Sequence, residues 1–167
     1  MRDDKNPGGA LDESSSFRFT NRLWRYGPVV AWATLIFIGS SNLLSASHTS
    51  AFLVRPLQYL FPSAKPETLA TIHFTIRKGG HLAEYFILAV LAARAFRTSS
   101  HAVLRARWFW ASLLLVIAYA LFDEFRQSFV SARTASIYDS MIDSAGGLIG
   151  LLFYWWRAKR GPIAPGK

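Results

Sequence analysis

Residues 108–130 read WFWASLLLVIAYALFDEFRQSFV, an apolar, helix-length run that meets Asp123 and Glu124 before it can cross a membrane. A spanning helix needs about 20 residues to cover about 30 Å of hydrocarbon. The uncharged part that starts at Trp108 ends at Phe122, so this helix can span only by taking its charged cluster in with it. The same geometry recurs in two other places. From Ser144 to Trp156 there are 13 uncharged residues, preceded by Asp139-Ser140-Met141-Ile142-Asp143. The apolar run that ends near Phe96 is preceded by Arg77-Lys78-Gly79-Gly80-His81-Leu82-Ala83-Glu84-Tyr85. Ionisable side chains are costly in hydrocarbon, and where they occur they pair, line a cavity or carry a function.

The chain has 167 residues, about one domain's worth. Half of it is hydrophobic (51%), 15% is aromatic and the mean hydropathy is +0.21, with the apolar residues gathered into long runs. That pattern favours a small integral membrane protein over a soluble domain. The net charge of +9 does not point to nucleic acid, because the basic residues lie beside the apolar runs and read as topology signals. With no cysteine, disulfides, thiolate catalysis and cysteine-ligated zinc are excluded.

The expected fold is an all-α membrane protein, a bundle of four transmembrane helices. The spans run from about Tyr26 to Ser45, Arg77 to Phe96, Trp108 to Val130 and Ser136 to Trp156. Residues 1–21 read as a disordered polar tail, 22–157 as the membrane domain and 158–167 as a basic C-terminal tail. A cleaved signal peptide is the alternative for the first run. The length of its polar lead and the three spans that follow favour an uncleaved helix. Of the 19 Lys and Arg, 13 fall in the N-terminal segment, the connection between spans two and three, and the C-terminal segment. Both termini are therefore expected in the cytoplasm and the polar clusters toward the exterior. The proline-punctuated stretch Ala51–Pro62 is expected along the outer interface, with a short helix starting at Pro66-Glu67.

Each cluster projects as a stripe at about 100° per residue. Arg77, His81, Glu84 and Leu88 share a face with Tyr85 beside it; Asp139, Asp143, Gly146 and Gly150 share another. Asp123 and Gln127 align on the third helix, and Glu124 is rotated away. Counted from the basic ends, Glu84, Asp123 and Asp143 lie at one depth, about 20 Å in. These stripes predict one semi-buried pocket. His81, Glu84, Asp123 and Asp143 are the candidate catalytic residues; Arg77, Lys78, Tyr85, Glu124, Gln127, Arg133 and Asp139 are the candidate substrate-binding ones. Arg77 and Arg133 suit phosphate, and Glu84, Asp123 and Asp143 suit a divalent cation such as Mg²⁺ or Ca²⁺. Mutual neutralisation in a structural ion network is the competing reading. Gly146 and Gly150 form a GxxxG pattern for close helix packing, within the monomer rather than at a dimer seam. Gly79-Gly80 mark either a close approach or a loop-to-helix junction.

Three motifs carry a family resemblance: His81-x-x-Glu84-Tyr85, Asp123-Glu124-x-x-Gln127-x-Phe129-x-x-x-Arg133, and Asp139-x-x-x-Asp143-x-x-Gly146-x-x-x-Gly150. In this order and spacing, on hydrophobic helices, the chain resembles the VanZ-like family of small bacterial integral membrane proteins. The resemblance runs from the first span to the end of the fourth. It implies a multi-pass protein of the bacterial cytoplasmic membrane with a role in the cell envelope. The family's namesake is an accessory factor in resistance to the glycopeptide teicoplanin.

Three functions compete at this level. The first is binding or processing of an envelope lipid or lipid-linked cell-wall precursor at the outward-facing pocket. The second is a non-enzymatic scaffold, or resistance accessory factor, whose charges are structural. The third is a proton or ion relay, hinted at by the shared polar spacing of spans two and four. The cytoplasmic halves of the spans lack the polar residues that such a path would need.

Overall fold

The structure, a computed structural model, describes residues 7–40, 56, 59–129 and 137–160. Among these there are five helices and no strand: α1 (Pro7–Gly39), α2 (Pro66–Arg97), α3 (Ala102–Ala106), α4 (Trp108–Ser128) and α5 (Ile137–Lys159). The four long ones pack as a bundle in which sequence neighbours run antiparallel. Trp32 and Tyr26 of α1 reach Glu84 of α2 and Ser99 just past its end, and Val116 and Ala120 of α4 meet Gly147 and Ser140 of α5. At about 1.5 Å per residue, each of the four is at least about 30 Å long. By length and composition alone, α4 is the one described helix apolar enough to cross a membrane.

Two helix boundaries differ from the sequence expectation. Residues 7–21, within the segment expected as a disordered tail, are helical, and α1 passes through Pro28. Propagating a helix from an established one is cheap compared with nucleating it, so a polar lead can extend an apolar span. At the second span, the helix expected to start at Arg77 begins instead at Pro66. Proline at the first turn and Glu67 beside the positive helix end favour that start. The short helix expected at Pro66 and the second span are thus one element. Gly79 and Gly80 lie inside it with open space where a side chain would sit, neither at a junction nor at a close approach. The other ends fall within a few residues of expectation. Most of the Ala51–Pro62 stretch, the ends of spans one and three, and Arg133 lie outside the described residues.

The core is built around α2, which contacts α1, α4 and α5. Leu88, Ala89, Ala92, Ala93 and Ala95 are buried on it, against Val116 and Ala120 of α4, Leu151 of α5 and Ile36 of α1. The small alanine face lets α5 come close, and the closest approach is at its glycines. A Cβ on Gly146 would collide with the Leu82 backbone, and one on Gly150 would sit 2.5 Å from the Phe86 carbonyl oxygen. Gly147 abuts Val116 in the same way. The GxxxG pattern therefore serves packing of α5 on α2 within one chain, and Gly147 beside it serves packing on α4. At the other side of α2, Ser99 anchors the turn into α3. It pairs with the Tyr26 hydroxyl at 2.7 Å, accepts the His101 N–H at 3.1 Å, and its carbonyl accepts Arg105 Nη1 at 3.0 Å.

The seam predicts contrasting alanine scans. Gly146→Ala and Gly150→Ala should each destabilise the purified protein by about 1–3 kcal/mol, the usual cost of overpacking. Gly79→Ala and Gly80→Ala should be neutral or stabilise by about 0.5–1 kcal/mol, as expected in an open helix interior. Thermal unfolding in one detergent, followed by circular dichroism, compares the four.

Candidate functional site

The polar residues collect at one end of the bundle, where α1 and α4 finish and α2 and α5 begin their buried faces. They form two clusters. The first joins α4 to α1. Asp123 is 2% exposed, and its Oδ1 accepts the Ser40 hydroxyl at 2.5 Å and Arg126 Nη2 at 3.0 Å. Its Oδ2 accepts Gln127 Nε2 at 2.6 Å. Arg126 also donates to the Ser40 hydroxyl and to the Phe37 carbonyl, the latter at 3.1 Å, with its guanidinium 4.2 Å from the Phe37 ring centroid. Asp123, Arg126 and Gln127 can share this work because residues three and four apart lie side by side on a helix. A carboxylate so deep is tolerable only when both oxygens are satisfied, and here both are.

The second cluster joins α2 to α5, which run parallel. Lys78 pairs with Asp139, and about one turn deeper His81 Nδ1 lies 3.5 Å from Asp143 Oδ1. Asp143 is 3% exposed. The glycine contacts continue the same register inward, from Gly146 at Leu82 to Gly150 at Phe86. Ser140, also buried, turns toward α4 and donates to the Ala120 carbonyl at 3.4 Å.

Tyr85 sits between the clusters. It is the largest fully buried side chain among the described residues, its ring 6.3 Å from that of Tyr119. Asp143, Asp123 and Glu84 are all within electrostatic reach of its phenol. Its hydroxyl has no hydrogen-bond partner among the described residues, whereas that of Tyr119 donates to the Ala33 carbonyl at 2.5 Å. A buried hydroxyl without a partner loses about 1–3 kcal/mol, so native folds rarely leave one unused.

Measured against the sequence expectation, the helix stripes do meet, but as pairs rather than as one ring. His81 and Asp143 come together, as do Lys78 and Asp139, and Asp123 and Gln127. Arg77, Glu84 and Glu124 are half-buried at the margins. Among the described residues no three His, Cys, Asp or Glu gather to hold a metal, so Glu84, Asp123 and Asp143 do not form the expected cation site. The oxygens of Asp123 are already engaged by Ser40, Arg126 and Gln127. Sequence reasoning overlooked Ser40 and gave Arg126 no place in the site. Ser40 follows an apolar run directly after Gly39, a small polar residue at a span's end, and that was the available signal. Trp32, whose indole N–H donates to the Glu84 carbonyl at 2.9 Å, gave no signal beyond its aromatic character.

Both clusters lie within the part of the chain that a known family describes. The model of the VanZ/LLP1 family matches residues 26–158. No curated protein and no solved structure matches the chain. The matched region takes in Ser40, the Lys78–Tyr85 segment, Asp123–Gln127 and Asp139–Gly150, together with most of the bundle that holds them. The chain belongs to the VanZ/LLP1 family.

Proposed function

We propose that this is a multi-pass protein of the bacterial cytoplasmic membrane whose polar end faces the exterior and binds the phosphate-bearing head of an envelope lipid or lipid-linked precursor. The observation that carries the binding reading is the Tyr85 hydroxyl, buried without a partner at the junction of the two polar clusters. A network serving only to neutralise its own charges has no use for such a group, whereas a ligand oxygen entering there would satisfy it. Arg77, half-buried about two turns before Tyr85 on α2 and without an ion pair among the described residues, supplies a fork suited to phosphate. His81 beside Asp143 can exchange a proton with such a ligand.

Bilayer embedding is supported by the outside of the bundle. Leu114, Leu121, Phe122 and Phe125 of α4 and Leu148, Ile149, Leu152 and Phe153 of α5 are exposed, while Asp123 and Asp143 point inward. That inversion suits a lipid solvent. Orientation rests on the basic end opposite the clusters, which carries Arg94, Arg97, Arg105, Arg107, Arg157 and Lys159.

A structural reading has one specific observation in its favour, the complete satisfaction of Asp123 by Ser40, Arg126 and Gln127. In that reading the protein is a scaffold, and the α1–α4 cluster is its clasp. The two readings assign different work to the two clusters and can be separated by mutation.

Native mass spectrometry of the full chain from bacterial membranes should find one class of phosphate-bearing lipid retained. Tyr85→Phe and Arg77→Gln should each cut retention about tenfold or more, as for a lost charge-assisted hydrogen bond of roughly 1.5–3 kcal/mol, with unchanged melting temperature. Asp123→Asn and Ser40→Ala should instead lower the melting temperature. Equal retention by wild type, Tyr85→Phe and Arg77→Gln leaves only the scaffold.

Topology has its own test, made simple by the absence of native cysteine. Single cysteines at the exposed positions Ser63 and Ser100 flank α2. A membrane-impermeant maleimide should label Ser63→Cys in intact cells and Ser100→Cys only after lysis. The reverse pattern inverts the orientation.

A further inference from the structure

At the end of the bundle remote from the polar clusters, a groove of about 410 Å³ opens between the start of α4 and the end of α5. Arg107, Trp108, Phe109, Leu152 and Trp155 line it. Its walls are ordered by ring contacts: Trp108 meets Phe109 edge-on at 5.8 Å and Tyr154 at 5.6 Å. The Lys159 ammonium lies 3.9 Å from the Trp155 ring centroid, so a second cation stands beside the groove. Arg107 and Lys159 are exposed, and neither has a carboxylate partner among the described residues. No acidic residue occurs in the sequence between Glu84 and Asp123 or after Asp143, so neither the linker around Arg107 nor the end of α5 carries an acid of its own.

We propose that this groove is a binding site for an anionic phospholipid. The phosphate lies between Arg107 and Lys159, the indoles of Trp108 and Trp155 hold the glycerol level, and an acyl chain lies along Phe109 and Leu152. Charge selects the lipid: unpaired cations flanking an apolar slot repel a cationic occupant and give a zwitterionic one no net advantage. Tryptophan is the residue type that favours the headgroup boundary, with an apolar ring and one N–H donor. The site rests on bilayer embedding and is independent of what the polar end binds.

The test uses the purified full chain with equimolar phosphatidylglycerol and phosphatidylcholine, read by native mass spectrometry. Wild type should retain phosphatidylglycerol over phosphatidylcholine roughly 25-fold, since each of the two basic residues near an anionic lipid is worth roughly a fivefold preference. Arg107→Gln with Lys159→Gln should bring the ratio close to parity. Arg22→Gln with Arg25→Gln, the same charge loss on α1, should leave it unchanged. Equal retention of the two lipids by wild type overturns the site. So does loss of preference in the α1 pair, which would make the effect a diffuse field. Quenching of tryptophan fluorescence by brominated phosphatidylglycerol, stronger than by brominated phosphatidylcholine, checks wild type without any variant. Equal quenching counts against the site.

Discussion

The close approach of α5 to α2 is the constraint on which the rest of the bundle depends. Gly146 and Gly150 rest against the backbone of Leu82 and Phe86, so the two helices can meet in essentially one register. That register, continued outward, is what sets His81 opposite Asp143 and Lys78 opposite Asp139. Rotating either helix by one residue, about 100°, would turn a carboxylate away from its cation and bury a side chain where only hydrogen fits. Packing and electrostatics are thus not separate layers here. The glycines choose the geometry, and the ion pairs make that geometry tolerable at depth.

The α1–α4 contact follows a different principle. It has no glycine seam and is held by polar bonds, from Tyr119 to the Ala33 carbonyl and from Asp123 and Arg126 to Ser40 and Phe37. Arg126 combines a charge, a hydrogen-bond fork and a stacking face in one side chain, which lysine could not do. The two halves of the polar end therefore differ in character. In the α1–α4 half both Asp123 oxygens are used and Arg126 Nε is buried without a hydrogen-bond partner among the described residues; the α2–α5 half leaves the whole Tyr85 hydroxyl, donor and acceptor, unspent. This asymmetry makes the second half the better place to look for a ligand, and the first the better place to look for stability.

Membership of the VanZ/LLP1 family covers the polar end and the bundle together. The chemistry of the polar end is legible as residue types, an aspartate and a glutamine four apart and two aspartates four apart. Its division of labour is not. The count of three carboxylates at one depth suggested a cation, yet depth says nothing about rotation, and Asp123 faces α1 while Asp143 faces α2.

The sequence by itself determined the helical class, the polar end and the basic end, the polar stripe of each helix and the glycine pattern on the last. These follow from periodicity and from the cost of charge in hydrocarbon, both of which act within one helix. Only the tertiary structure decided that Ser40 and Arg126 complete the Asp123 cluster, that Tyr85 is the deepest member of the polar end, and that α2 runs unbroken from Pro66 through its glycines. The reason is that a stripe gives a direction on one helix but not its rotation against a neighbour. That rotation is set by which surfaces can approach closely, and an uncharged serine or a tyrosine beside a stripe carries no hydropathy signal of the partner it will meet.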